Sequence, residues 1–309
     1  MTEPSKIDKE QARAEFAKLS ERTGALNAEA YRHSADNTFT EGFGRELQGQ
    51  IIEISARLAE VRKAFWPQVE DIAALLKVDG EDRLLTANDY KRNMPNLKVE
   101  IAPEGPLPLN IVEILNRQSP AHEAGVLVKE RHILAWVPDN LSLSMLSEAL
   151  GGQKGEVLFN DWFTNDQDPL GNITLNAVEK SGHWALIPDQ FPKGTESKGI
   201  IDSAQALKGL YPESYIQPDV ISFTAPLLLH ALKNNYRLYK DTWAWCSDPR
   251  EGTHLFDENH CFGGGCSRAL RVGYFDANGL WVLQVTPGYV DSSLGCAAVW
   301  NFGTWDLES

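Results

Sequence analysis

The stretch Arg268–Phe302, RALRVGYFDANGLWVLQVTPGYVDSSLGCAAVWNF, decides how the chain is read. Val272, Tyr274 and Phe275 favour a strand, as does the run from Leu280 to Val285, and Asp276-Ala277-Asn278-Gly279 stands between them. Two β-type runs joined by a short turn containing Asn-Gly predict a hairpin. Pro287-Gly288 predicts a second turn, because Pro presets φ and Gly supplies a positive one. A last apolar strand is expected from Leu294 to Trp300. The segment Thr286 to Ser293 then becomes an exposed loop of Tyr, Asp, Ser and Gly between two buried strands. Tyr offers rigid contact area and the small polar residues offer adaptable hydrogen bonds, a composition suited to recognition. The plain alternative is an ordinary hairpin edge. Alternation sets Trp281 and Leu283 on the face opposite Val282 and Gln284, so only one of these pairs points outward.

Upstream of this stretch, FTAPLLLHAL (Phe223 to Leu232) predicts a buried helix with Thr224 as N-cap and Pro226 in its first turn. His230 within it reads as a core histidine. Ile200 to Leu210 is helical, and Ile173 to Val178 and Trp184 to Pro188 read as strands. The loop with Asn160, Asp161, Asn165, Asp166 and Asp168 has oxygen ligands but not EF-hand spacing, so a solvated loop is expected. Leu141 to Leu150 is a short helix, and Val126 to Val128 and His132 to Val137 read as strands. Prolines at 95, 103, 106 and 108 mark a linker or extended edge. Leu47, Ile51, Ile54, Leu58, Val61 and Phe65 step by three or four along a strong amphipathic helix, which Pro67 interrupts. A shorter helix is expected over residues 5–20. The pattern is α+β in three parts: a helical region (1–92), a proline-rich linker with a small α/β segment (93–170), and a C-terminal domain (171–309).

The net charge of −14 argues against nucleic acid as the main partner. No window is apolar enough to span a membrane, and residues 1–25 lack the apolar core of a signal peptide, so the cytoplasm is the default compartment. All four cysteines follow residue 245 and are expected as thiols. His254, Cys261 and Cys266 come nearest to a zinc set, but close C-x-x-C pairs are lacking and no metal or cofactor is expected. Gly263-Gly264-Gly265 lacks the Lys-Ser/Thr of a phosphate loop. No G-x-S-x-G, no H-E-x-x-H and no recognisable Ser/His/Asp order is present.

From residue 180 onward the order of elements resembles the C-type-lectin-like fold of the formylglycine-generating-enzyme type. There a helix precedes a strand of the VWEWTSD kind, a glycine-containing core strand follows, and the domain ends near LGFR. Thr242-Trp243-Ala244-Trp245-Cys246-Ser247-Asp248 is similar to the second element, Arg268 to Tyr274 to the third and Ser293 to Ala297 to the last. The resemblance covers residues 180–302 and nothing before them. In the enzymes it implies a copper-dependent oxidase with a cysteine pair. Cys261 and Cys266 have the spacing of that pair but precede the core strand instead of following it, so no catalytic residue is carried over. The chain is more similar to the variable proteins of diversity-generating retroelements, which bind ligands without catalysis through a diversifiable surface near the C-terminus. That resemblance implies a ligand-binding set of Tyr274, Asn278, Trp281, Gln284, Thr286, Tyr289, Asp291 and Ser292, framed by Leu280, Val282, Leu294, Gly295, Ala297 and Val299. The expected partner is a protein or other macromolecular ligand, with the N-terminal helices attaching or oligomerising the domain. A tail-fibre-like structural protein is a third expectation.

Overall fold

Asp79 and Gly80 both take positive φ, 51° and 82°, and fold Lys77–Val78 (β1) back onto Glu81–Asp82 (β2) as a tight hairpin. This hairpin lies near the start of the larger of two units into which contacts divide the chain, Met1–Val69 and Glu70–Ser309. The computed structural model describes residues 9–36, 38, 40–150, 159–161, 178–179, 181–247, 269–276, 279–285, 288–300 and 302.

The first unit is a helical hairpin of Lys9–Ala35 (α1) and Glu41–Phe65 (α2). Leu26, Leu47 and Ile54 form its buried seam, with Leu19, Phe43, Ile51 and Leu58 beside them. The stripe expected on α2 is thus its buried face, and α2 stops before Pro67, where the missing N–H and ring end a helix. The first helix is longer than the sequence suggested.

The second unit is a mixed α+β assembly. Its helices are Val69–Leu75 (α3), Ala87–Asn93 (α4), Ile111–Leu115 (α5), Val128–Arg131 (α6), Leu143–Leu150 (α7), Ile200–Leu210 (α8) and Val220–Asn234 (α9). A three-stranded sheet is ordered Leu84–Leu85 (β3), His132–Val137 (β4), His183–Pro188 (β6), with β3 parallel and β6 antiparallel to the central strand. Every residue of β4 is buried, as a central strand covered on both faces requires. The five-stranded sheet runs Leu294–Cys296 (β11), Trp243–Cys246 (β8), Ala269–Asp276 (β9), Gly279–Val285 (β10), Phe159–Asp161 (β5). A small antiparallel pair joins Tyr215–Ile216 (β7) to Val299–Trp300 (β12).

Several local expectations are corrected. Val126 to Val128 is no strand: Val128 opens α6, because the Glu130 carboxylate accepts the Leu127 N–H at 2.8 Å and closes the first turn. The buried helix begins earlier, at Val220, where the Asp219 side chain accepts the N–H groups of Ile221 and Ser222, both at 2.8 Å. Thr224 lies inside it. Leu294 to Trp300 is two short strands that pair with different partners, β8 and β7. The predicted hairpin of β9 and β10 is present, with a register shift between Gly279 and Trp281. Contacts also cross the expected divisions at residues 92 and 170. The sheet β3-β4-β6 takes one strand from each of the three expected parts, and the proline-rich stretch packs on it, Gly105 O accepting the Trp184 indole N–H at 2.9 Å.

Candidate functional site

Strand register sorts the five-stranded sheet into two unlike faces. Trp243 lies opposite Gly273, Trp245 opposite Arg271, Trp281 opposite Gly273 and Leu283 opposite Arg271, so these side chains share one face. The other face carries Ala244, Cys246, Leu270, Val272 and Val282, all buried. On the first face Trp281 and Leu283 are half-buried against Ile200, Trp243, Trp245 and Leu294. Of the alternating residues, Val282 is fully buried, and Trp281 and Leu283 are the more exposed, though partly covered by that cluster.

One irregularity re-aims a side chain. Gly273 has φ 153°, and a Cβ there would stand 2.0 Å from the Thr242 carbonyl oxygen. Only glycine fits so close a backbone approach. The next residue, Tyr274, takes φ 48° and donates its N–H to the same carbonyl at 2.8 Å. Strict alternation would send Tyr274 to the buried side. The kink turns it out instead, 40% exposed, with its ring 5.2 Å from that of Trp243.

Arg271 continues the stack. Its guanidinium lies 4.2 Å from the Trp243 ring centroid and 4.8 Å from that of Tyr289. Tyr274, Trp243, Arg271 and Tyr289 therefore form a ladder of rings around one cation. Tyr289 is exposed, and its hydroxyl donates to Asp291 Oδ2 at 3.4 Å. Asp291 Oδ1 accepts the Ser293 N–H at 2.8 Å and the Ser293 hydroxyl at 2.7 Å. These bonds from Ser293, with smaller help from Tyr289 and the Arg271 charge, hold the Asp291 carboxyl below its usual range. The loop is tied down where Ser293 O accepts the Trp243 N–H at 2.8 Å.

Of the sequence-expected set, Tyr274, Trp281, Tyr289 and Asp291 thus gather on or beside this ladder, and Ser292 is exposed in the same loop. The backbone of Gln284 pairs with Leu270. Its side chain lies outside the described residues, as do Asn278, Thr286, His254, Cys261 and Cys266. Sequence reasoning missed Arg271 on this face, and with it the buried Trp243 on which it stacks. The signal was present in W-x-W and R-x-G, whose alternate residues had to share the face of Trp281.

A second constellation was also missed. Ser119 Oγ lies 2.6 Å from His122 Nδ1, and His122 Nε2 lies 2.8 Å from Asp189 Oδ1. Asp189 Oδ2 accepts from Arg131 Nε at 2.6 Å and stands 3.5 Å from Arg83. Arg83 pairs with Glu81, whose other oxygen lies 2.5 Å from His230 Nε2. Beside it His132 donates Nδ1–H to Val128 O at 3.0 Å, so its Nε2 accepts the Tyr215 hydroxyl at 2.8 Å. A nucleophilic serine must meet its substrate, and Ser119 is 0% exposed. Apart from Arg131, whose side chain is 46% exposed, the group is a sealed polar chain at the end of the sheet where β3 and β4 begin and β6 ends. Burial pushes Asp189 up, yet the hydrogen bonds from His122 and Arg131 outweigh it and hold the carboxyl below its usual range. Burial, with His122 adding to it, drives His132 down to about 3 and keeps it neutral.

Cys246 and Cys296 are buried free thiols, and loss of solvent pushes both upward, the reverse of what a reactive thiolate needs. Among the described residues no three His, Cys, Asp or Glu are placed to hold a metal ion, and no helix is long and apolar enough to cross a membrane. Compared with known protein families, with curated proteins and with solved structures, the chain matches none of them.

Proposed function

We propose that the chain is a non-catalytic ligand-binding protein whose second unit presents the outer face of the five-stranded sheet to another macromolecule. The observation that carries this reading is the contrast across β8, β9 and β10. Behind them lies a frame of Ala244, Val272 and Val282, fully buried, and in front stand Tyr274, Arg271 and Tyr289, stacked with Trp243 and partly exposed, with Trp281 packed beside them. Trp, Tyr and Arg are the side chains enriched in binding hot spots, Trp and Tyr because they offer large area at small entropic cost and Arg because of its planar hydrogen-bonding fork.

The resemblance to variable proteins of diversity-generating retroelements gives this surface its finer meaning. It is supported by the order of elements, α9, then β8, then the glycine-kinked β9, then β11, which follows the quoted motifs. In this reading the frame stays fixed while the exposed side chains are free to change.

Sequencing the gene and its flanks in independent isolates tests this. The expected result is a near-repeat of the codons for residues 270–300 beside a reverse transcriptase gene, with substitutions concentrated at Tyr274, Trp281, Tyr289, Asp291 and Ser292. Substitutions equally frequent at Val272, Val282 and Leu294 would overturn it.

A further inference from the structure

We infer that Arg271 is the specificity anchor of this face and that it takes the carboxylate of an Asp or Glu side chain on a protein ligand. The inference rests on the binding role proposed above and adds the chemistry of what is bound.

Arg271 stands in the middle of the sheet, between Trp245 on β8 and Leu283 on β10. Its guanidinium lies within cation–π distance of the Trp243 and Tyr289 rings. Such stacking fixes the plane of the group and strips it of water, leaving its N–H edge to be satisfied. Among the described residues that edge is incompletely used: Nε is buried and has no hydrogen-bond partner there. The nearby acid does not fill the gap. Asp291 is directed to Ser293 and Tyr289 by its hydrogen bonds and meets Arg271 only as a neighbouring charge. A buried donor without an acceptor is costly, and a planar fork fits a carboxylate in two parallel bonds.

Charge selects the source of that anion. The chain carries −14, so a polyanion is repelled overall, whereas one acidic side chain on an otherwise apolar ligand surface is not. The flanking Trp281, Leu283 and Tyr274 supply apolar contact around the cation, the arrangement of an anchor inside a water-excluding ring. Tyr289 lies in an exposed loop, so its ring is the cover that a ligand displaces or shares.

The test is selection of a disulfide-closed random heptapeptide library against the full-length protein, followed by affinity measurement on variants. The expected result is peptides with one Asp or Glu at a fixed position. They bind Arg271→Gln about ten- to a hundredfold more weakly, and Arg271→Lys more weakly too, because an ammonium restores charge without the fork. Unchanged thermal unfolding and far-ultraviolet spectra identify Arg271→Gln as folded. Arg271→Lys serves as the test variant if Arg271→Gln is not folded. Peptides that need Tyr274 and Trp281 but carry no acid, or that inorganic phosphate displaces, overturn the carboxylate assignment and leave the binding face standing. Selection that yields no peptide sensitive to Tyr274→Ala, Trp281→Ala or Tyr289→Ala overturns both.

Discussion

The outer face of the five-stranded sheet and the sealed polar chain beside β3, β4 and β6 hold the chemically capable side chains of the second unit in opposite ways. In the sealed chain one carboxylate, Asp189, meets His122, Arg131 and Arg83 at once, and Ser119, 0% exposed, sits behind His122. On the sheet face the cation is held by ring stacking, and Nε of Arg271 lacks an acceptor among the described residues. Both regions leave buried polar atoms without hydrogen-bond partners among the described residues, Arg83 Nε and Nη1 included, and those that lie away from solvent serve only the fold. Those left incomplete next to solvent are suited to something outside it. A Ser-His-Asp arrangement can thus be structural, while a plain arginine on a strand is the better functional candidate.

The sharpest way to break this contrast is to remove one acid from each region. Asp189→Ala leaves buried Arg83 and His122 without their shared anion, and unfolding free energy should drop by about 3–5 kcal/mol. Asp291→Ala removes only a loop-ordering bond and should cost about 1 kcal/mol or less. Equal losses in urea unfolding would dissolve the distinction.

Acid titration sharpens the same point. His132 is held neutral down to about 3 in the fold, whereas the unfolded chain takes up the proton near the ordinary histidine value of about 6.5. Between those values the unfolded state binds more protons, so stability falls as pH drops through that window. Asp189 and Glu81, both held below their usual range, act in the same direction at the lower end, because the unfolded carboxyls protonate first. The expected outcome is a loss of a few kcal/mol between pH 7 and pH 4. A flat profile would mean that the polar chain is open to water.

On the sheet, Gly273→Ala forces a Cβ against the Thr242 carbonyl and should cost about 1–3 kcal/mol. It should also withdraw Tyr274 from Trp243, read as a change in near-ultraviolet circular dichroism. A variant with native stability and an unchanged spectrum would show that the kink does not set the face.

What the sequence made legible follows from the range of the interactions involved. The β9–β10 hairpin, α2 and α9 could be read because alternation, periodicity and turn chemistry are local. The outward placement of Trp281 needed only the burial of its neighbour Val282. The outward turn of Tyr274 was legible only as residue type, since the cause is a backbone approach from Thr242, 32 positions earlier. The sealed chain was illegible for the same reason. Ser119 and His122 are three residues apart, but Asp189 joins them from 67 residues beyond His122, through a sheet whose strand pairing no local pattern announces. The missed N-cap at Asp219 differs in kind. The residue type was favourable, and the apolar run after it drew the helix start too late.

The smallest expected effect tests whether the ladder is an interaction or a mere juxtaposition. Tyr289→Ala removes one ring from Arg271 at a partly exposed site, where a cation–π contact contributes about 0.5–1 kcal/mol. Arg271→Ala removes the cation and also uncovers Trp243, so neither single change isolates the pair. A double-mutant cycle does, because the losses common to both single variants cancel. A coupling of about 0.5 kcal/mol or more is expected in urea unfolding, at a size near the limit of that method. Coupling indistinguishable from zero would mean that Tyr289 lies over Arg271 without holding it. In that case the loop from Gly288 to Ser293 would be anchored by Ser293 alone, through the Trp243 N–H and the Asp291 carboxylate. The binding face would then consist of the rigid pair Tyr274 and Trp243 with a loop free to reposition. That would shift the source of specificity from a preset cation to the loop itself.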